Sequence, residues 1–118
     1  MPLFSGMLAT EGEEAARRFA AERLAPAFMA REAEGRVDRA LLKEMGDLGL
    51  IGLDLPERFG GLGQSSETAG IVIEALAYGD LNVSYVQLLT SLNGQVLARH
   101  AEPAIAERWI GAACRGEA

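Results

Sequence analysis

The feature that most constrains this chain is a glycine-rich stretch at residues 46–63, which reads GDLGLIGLDLPERFGGLG. Gly49 suits the left-handed backbone position that ends a helix, and Pro56 forces the residue before it into an extended conformation. The two glycines at 60–61 let the backbone turn where a side chain would clash. The stretch therefore predicts a tight bend between helices, with Phe59 as the side chain that anchors it to the core.

The segments around this bend have the pattern of helices. Apolar residues recur at steps of three and four, and Val, Ile and Thr form no alternating runs. Helix starts are predicted at Thr10, Asp38, Ser65 or Ser66, and Asp80, because side chains of these types cap the first amide groups of a helix. The pattern predicts an all-α fold, a bundle-like domain of five to six helices.

Breaks and buried faces are also predicted. Pro26 should kink the first helix or divide it in two, and Gly35 should close it. Helix 38–48 should bury Leu41, Leu42, Met45 and Leu48. The long helix from about 81 to 99 carries a seam of Tyr85, Leu89, Leu92 and Val96. The last helix should start at Pro103, with an inner face of Ile105, Trp109, Ala112 and Ala113.

Length and charge limit the class of protein. With 118 residues, the chain is predicted to be one domain over 1–118. A formal charge of -6 argues against nucleic acid and anionic membranes as partners, since both need a basic face. The single cysteine, the lack of a spanning apolar run and the lack of a secretion signal favour the cytoplasm.

Few side chains are candidates for chemistry. Glu74 lies in an apolar helix, where a carboxylate needs an ion pair or a hydrogen bond; general-base catalysis would need a partner and a cleft that the sequence does not show. His100 at a helix junction is interpreted as a cap or surface group, and Cys114 as structural. No catalytic, cofactor-binding or metal-ligating residue is predicted, because no phosphate loop or metal-ligand spacing occurs.

Four spaced segments resemble one family. The bend, LGLIGLDLPERFGGLG, is followed by IVIEALAYGDLNVS, by the long helix, and by LARHAEPAIAERWIGAACRGEA. Together they resemble the amino-terminal helical domain of the FAD-dependent acyl-CoA dehydrogenases. The resemblance covers the chain from about Ala15 onward.

The resemblance implies a function for the parent protein. Acyl-CoA dehydrogenases are flavoproteins of fatty acid metabolism that oxidise acyl-CoA to α,β-enoyl-CoA with FAD and pass the electrons to an electron-transfer flavoprotein. In such proteins the middle β-domain and the carboxy-terminal helical domain hold most of the flavin and the catalytic base. We therefore expect a fragment of a larger, homo-oligomeric dehydrogenase, and neither bound FAD nor catalysis from these 118 residues alone.

The same resemblance assigns the acyl tunnel to the long helix. The side chains predicted to meet the substrate are Tyr85, Gln87, Leu88, Leu89, Ser91 and Leu92, with Leu88 and Leu92 as the walls that limit acyl length. Gly94 in this helix is explained by close approach of another chain segment or a ligand, or by helix packing alone.

Two other functions remain open at this point. The chain could be a helical interaction or oligomerisation module that keeps only the first domain of the family. It could also be a domain of a related flavin oxidase or monooxygenase, which shares the architecture. The coding sequence past Ala118 would discriminate between them, because a dehydrogenase needs its flavin-contacting segment there.

Overall fold

The computed structural model describes the backbone of residues 2–117 and the side chains of residues 11–117. The α-helices are α1 Pro2–Phe19, α2 Phe28–Glu34, α3 Arg39–Asp47, α4 Ser66–Ala77, α5 Leu81–His100 and α6 Pro103–Cys114. A π-helical turn at Ala20–Leu24 and 3-10 turns at Ala25–Ala27 and Glu57–Phe59 complete the regular structure. Residues 2–117 contain no strand, and the all-α prediction is confirmed.

The first helix is distorted around Pro26, as predicted. α1 runs into the π-helical turn, then into the 3-10 turn that contains Pro26, and then into α2. Proline has no amide proton to continue the α-helical ladder, so the hydrogen bonding changes there. α2 ends at Gly35, whose φ of 73° confirms the predicted left-handed cap.

The predicted start of the first helix was wrong. The helix begins at Pro2, eight residues before Thr10. Apolar residues at positions 3, 4, 7 and 8 have helical spacing, and this pattern extends the stripe of α1 toward the amino terminus. The side-chain cap predicted for Thr10 lies outside the residues whose side chains are described.

Two later caps are as predicted. Asp38 Oδ1 accepts a hydrogen bond of 3.1 Å from the Ala40 amide at the start of α3. Ser65 Oγ accepts one of 3.1 Å from the Thr68 amide at the start of α4. These side chains satisfy amide groups that a helix start leaves without partners.

The bend at residues 46–63 joins the two hydrophobic clusters of the domain. Leu50, Ile51 and Leu53 belong to the cluster between α1, α3 and α4. Leu55 and Phe59 belong to a second cluster with Ala106, Ile110 and Cys114 of α6. Phe59 is only 8% exposed, so its predicted role as an anchor is confirmed. The bend is therefore part of the core and fixes how α6 lies against the other helices.

Four glycines of the bend have a positive φ, and two of them mark where the chain turns. Gly49 has a φ of 74° and Gly60 a φ of 105°, a region that side chains other than glycine rarely adopt. The amides of Leu62 and Gly63 then donate to the Gly52 and Leu55 carbonyls, at 3.1 Å and 2.9 Å. The chain folds back on itself through these bonds.

Some predicted inner faces were wrong. Leu48 in the turn after α3 is 53% exposed. In α6, Ile105 and Trp109 are 45% and 47% exposed. The buried residues of α6 are instead Ala106, Ile110, Gly111 and Cys114. Both faces of α6 are apolar, so periodicity alone does not say which face packs against the domain. The face with the smaller side chains, which carries Ala106, Gly111 and Cys114, is the one that packs against the bend.

The domain is thin. It measures 40 × 34 × 18 Å, and its shortest extent is less than two helix diameters of about 10–12 Å each. α4 packs between α1 and α5, and α6 packs on α5. In so thin a layer, each helix keeps at least one side without a neighbouring helix. No described helix is long and apolar enough to cross a membrane.

Candidate functional site

The start of α5 is fixed by a buried ion pair. Asp80 is 3% exposed, and its Oδ1 accepts a hydrogen bond of 2.9 Å from the Asn82 amide, which confirms the predicted cap. Its Oδ2 accepts one of 2.9 Å from Arg31 Nε. Arg31 also donates to the Leu24 carbonyl at the end of the π-helical turn. One arginine thus ties the distorted first helix to the start of α5.

Three polar side chains of α5 hold the bend. Gln87 Oε1 accepts a hydrogen bond of 2.7 Å from the Gly52 amide. Ser91 Oγ donates to Asp54 Oδ2 at 2.6 Å, and Gln95 Nε2 donates to the Asp54 carbonyl at 3.0 Å. The three residues recur at steps of four, so they share one face of the helix. This face is a polar stripe that sets the position of residues 52–54.

Close packing accompanies these hydrogen bonds. A Cβ added at Gly94 would lie 2.5 Å from Leu55 Cδ1. The approach of another chain segment therefore explains the glycine in the middle of α5, as one of the sequence alternatives predicted.

A groove lies between α4 and α5. Its cavity has a volume of about 610 Å³. It is lined by Asp54, Ser66, Ala69, Gly70, Ile73, Leu88, Ser91, Leu92, Gln95, Val96 and Arg99. The walls are mainly apolar and the polar atoms of Asp54, Ser91 and Gln95 gather in one part of it. A hydrocarbon chain could contact the walls while a polar group reached that part.

The groove brings together three of the six residues predicted from the sequence. Leu88, Ser91 and Leu92 line it. Leu89 instead lines a second cavity of about 240 Å³ between α5 and α6. Tyr85 is 44% exposed, and Gln87 is fully buried against Gly52. The substrate contacts assigned to these side chains stay predictions.

An apolar, exposed face of α5 lies next to the polar stripe, and two of its residues, Leu92 and Val96, also line the groove. Leu81, Tyr85, Leu89, Leu92 and Val96 are between 44% and 59% exposed. The predicted seam of Tyr85, Leu89, Leu92 and Val96 is therefore a surface of this domain and is not part of its core. We call these five residues the exposed stripe.

The surroundings of Glu74, His100 and Cys114 do not indicate a catalytic role for these titratable side chains. Glu74 is exposed, so the prediction of a carboxylate within an apolar surround was wrong; α4 turns that position outward. The side chain of Glu74 makes no hydrogen bond or ion pair with residues 11–117. His100 is exposed at the end of α5. Burial raises the pKa of the Cys114 thiol above its ordinary value, which disfavours a thiolate nucleophile.

The glycine-rich bend does not fit the diphosphate of a flavin nucleotide, and no metal-ligand cluster occurs among the described residues. No group of three or more His, Cys, Asp or Glu side chains is placed to hold a metal there. The glycine-rich bend is filled by protein atoms: a Cβ at Gly60 would lie 3.2 Å from Gly111 Cα, and one at Gly61 would meet the Leu55 carbonyl. A phosphate cradle needs open amide groups instead.

Sequence reasoning missed Asp54 and Gln95. The signal for Gln95 was the polar series at positions 87, 91 and 95, which has the spacing of one helix face inside an otherwise apolar helix. Asp54 had no such signal, because its role depends on where the bend meets α5.

Comparison with known proteins identifies the family. Residues 10–117 match the family model described as "Acyl-CoA dehydrogenase, N-terminal domain". The chain is 29% identical over 110 residues to benzylmalonyl-CoA dehydrogenase of Aromatoleum aromaticum, covering 85% of this chain and 29% of that protein. It is 28% identical over 102 residues to (2S)-methylsuccinyl-CoA dehydrogenase of Cereibacter sphaeroides, covering 86% and 19%.

Two further similarities agree. The chain is 37% identical over 67 residues to the mitochondrial long-chain specific acyl-CoA dehydrogenase of Sus scrofa, covering 57% of this chain and 16% of that protein. The fold matches a structure from work on the electron transferring flavoprotein of Acidaminococcus fermentans, with a TM-score of 0.81, 21% identity, and 92% and 29% coverage. The chain spans less than a third of these proteins. It belongs to the acyl-CoA dehydrogenase family, as a domain of the N-terminal type.

Proposed function

We propose that this domain forms one wall of the acyl pocket in an FAD-dependent acyl-CoA dehydrogenase. The observation that carries the proposal is the groove between α4 and α5, whose apolar walls include Leu88 and Leu92. An apolar wall stabilises a bound hydrocarbon by about 0.8 kcal/mol for each methylene that it removes from water. The names of the three relatives, all of them CoA-ester dehydrogenases, support this substrate class.

The chain's own residues would bind and position the acyl group. The polar stripe holds residues 52–54 so that the groove keeps its shape, and the apolar walls exclude water from the acyl chain. FAD, when bound in the parent enzyme, accepts the hydride. The glycine-rich bend is filled by protein atoms, so it is not proposed as a ligand of FAD.

The family also suggests the substrate and the electron acceptor of the parent protein. The parent would take an acyl-CoA substrate and pass electrons to an electron-transfer flavoprotein. It would be a cytoplasmic homo-oligomer, with this domain as the first of its domains. The exposed stripe supports an assembly of this kind, because large apolar patches on small domains mark surfaces that other protein segments cover.

A direct test is the binding of octanoyl-CoA to the 118-residue chain. Amide NMR shifts in a ¹⁵N-labelled sample should move at Ile73, Leu88 and Leu92, which line the groove. CoA without an acyl group is the matched ligand control. Shifts that are equal for the two ligands would overturn the acyl-pocket proposal.

A second test uses the full-length enzyme. Leu88→Ala and Leu92→Ala should move the optimum of kcat/KM toward longer or bulkier acyl groups, because each removes a wall that limits acyl length. Leu81→Ala is the control, since Leu81 is exposed on α5 but does not line the groove. Unchanged substrate ranking in both groove variants would contradict the assignment.

A further inference from the structure

The glycines inside the α-helices differ in what surrounds them. A Cβ added at Gly12 in α1, Gly46 in α3, Gly94 in α5 or Gly111 in α6 would lie within 3.4 Å of atoms from another part of the chain. Close packing therefore explains these four glycines. At Gly70 in α4 an added Cβ would meet nothing within 4 Å. Among the helical glycines of residues 11–117, Gly70 alone lies beside space that no described atom occupies.

The fold of the domain gives no reason for a glycine at position 70. The interior of a helix disfavours glycine more than any residue except proline, because glycine loses the most backbone freedom when it is fixed. Gly70 is not one of the glycines with a positive φ, so alanine could take its backbone conformation. The methyl group of that alanine would also meet no neighbour. The open space therefore points to a group that the domain binds.

Gly70 lines the groove between α4 and α5. Ser66, Ala69 and Ile73 line it from the same face of α4, at steps of three and four residues. The side chains of Ser66 and Ala69 are small, and the larger Ile73 lies about one turn further along the helix. The α4 wall is thus indented at Gly70, opposite the leucine side chains of the α5 wall. We call this space beside Gly70 the recess.

We propose that the recess takes the ring of a ring-bearing acyl group. The inference rests on the proposed acyl pocket and names the class of acyl group that the groove takes. An unbranched chain is narrow and would leave the recess unfilled, so the atoms that line it would lose van der Waals contacts. A cyclohexyl or phenyl ring is wider, and it can contact the backbone of Gly70 on one side and Leu88 and Leu92 on the other. A ring is also rigid, so it loses less conformational freedom on binding.

The test compares three ligands whose acyl groups have the same number of carbon atoms. Octanoyl-CoA, cyclohexylacetyl-CoA and phenylacetyl-CoA are titrated into the ¹⁵N-labelled 118-residue chain, with CoA alone as the reference. Both ring compounds should bind about fivefold more tightly than octanoyl-CoA, because they fill the recess and lose less freedom. Binding of octanoyl-CoA that equals or exceeds that of both ring compounds would overturn the inference.

Gly70→Ala should remove this preference. Its methyl group enters the recess and should weaken the binding of both ring compounds by about tenfold, while octanoyl-CoA binding changes by less than about twofold. The variant keeps the fold, since the methyl group meets no described atom. Glu74→Ala is the matched control, because Glu74 is an exposed residue of α4 outside the groove, and it should leave the preference unchanged. A Gly70→Ala chain with the wild-type preference for rings would refute the inference.

Direct contact can be measured without a variant. In the wild type, NOEs should join the ring protons of phenylacetyl-CoA to the α-protons of Gly70. Acyl-dependent shifts at Leu88 and Leu92 without NOEs to Gly70 would refute the ring site and leave the acyl pocket intact. Shifts that are equal for all acyl ligands and for CoA alone would refute the acyl pocket itself.

Discussion

α5 departs from the usual distribution of side chains, because it buries polar residues beside the apolar Val83 and exposes large apolar ones. The face toward the bend carries Gln87, which is fully buried, together with Ser91 and Gln95. The face turned to solvent carries the exposed stripe, whose large apolar side chains are 44–59% exposed. A helix of an isolated globular domain normally buries its apolar side and exposes its polar side.

The two faces of α5 therefore differ in how they are packed. The buried face of α5 is fully packed within the domain. Its polar side chains hydrogen-bond to the backbone of residues 52–54, and the side chain of Leu55 packs against Gly94. The exposed stripe has nothing comparable among the described residues. We infer that the buried face stabilises the domain and that the exposed stripe serves contacts outside it. The following predictions test that division.

The largest expected loss of stability is in the bend, which packs against the buried face of α5. Phe59→Ala should lower the free energy of unfolding by about 3 kcal/mol, since the ring fills a core cluster with Ile110 and Cys114. Leu62→Ala is the control from the same bend, because Leu62 is 41% exposed. Urea denaturation measures both. A change below about 0.5 kcal/mol for Phe59→Ala would place the ring outside the core.

A smaller loss is expected where α5 itself meets the bend. Gly94→Ala gains up to about 1 kcal/mol of helix propensity but forces Leu55 to move, at a cost of about 1–3 kcal/mol for overpacking. The net loss should be about 1 kcal/mol. The matched variant is Gly70→Ala in α4, where an added Cβ meets nothing within 4 Å. Thermal denaturation should show Gly70→Ala as stabilised; a stabilised Gly94→Ala would contradict the close contact.

The smallest effect on stability is expected at the exposed stripe. Leu89→Ser should change the free energy of unfolding by less than about 0.5 kcal/mol, because Leu89 is half exposed and the substitution removes no core contact like those of Phe59. Its effect should instead be on association. The wild-type chain is expected to pair about a two-fold axis through the exposed stripe and the apolar surface of the bend.

Sedimentation measures this association. At about 100 μM the wild type should contain dimers and Leu89→Ser should be mainly monomeric, because the exposed apolar patch drives pairing. Glu74→Ser, on an exposed face of α4, is the control and should pair like the wild type. A strictly monomeric wild type would contradict the role assigned to the exposed stripe.

Local features of this fold could be predicted because they depend on neighbouring residues only. Asp38, Ser65 and Asp80 cap helices through bonds to amides two or three positions away. Gly35 and Gly49 have the positive φ that ends a helix, and no distant residue is needed for that. The family resemblance was readable for the same reason, since it rests on the spacing of such local signals.

The candidate site was predicted only in part. Leu88, Ser91 and Leu92 line the groove, whereas Gln87 is buried under Gly52. All four lie on one helix, and their differing surroundings come from α4 and the bend. A helical pattern gives the angle between side chains but not which neighbour occupies each direction.

The sequence by itself determined the caps at Asp38, Ser65 and Asp80, the break at Pro26 and the bend, because each follows from short-range hydrogen bonding and backbone sterics. Only the tertiary structure decided which apolar faces are buried. α5 and α6 are apolar on more than one side, and the contacts that choose between sides come from residues far apart in the chain. The position of Asp54 was set in the same way, because the bend places its Oδ2 and its carbonyl against Ser91 and Gln95.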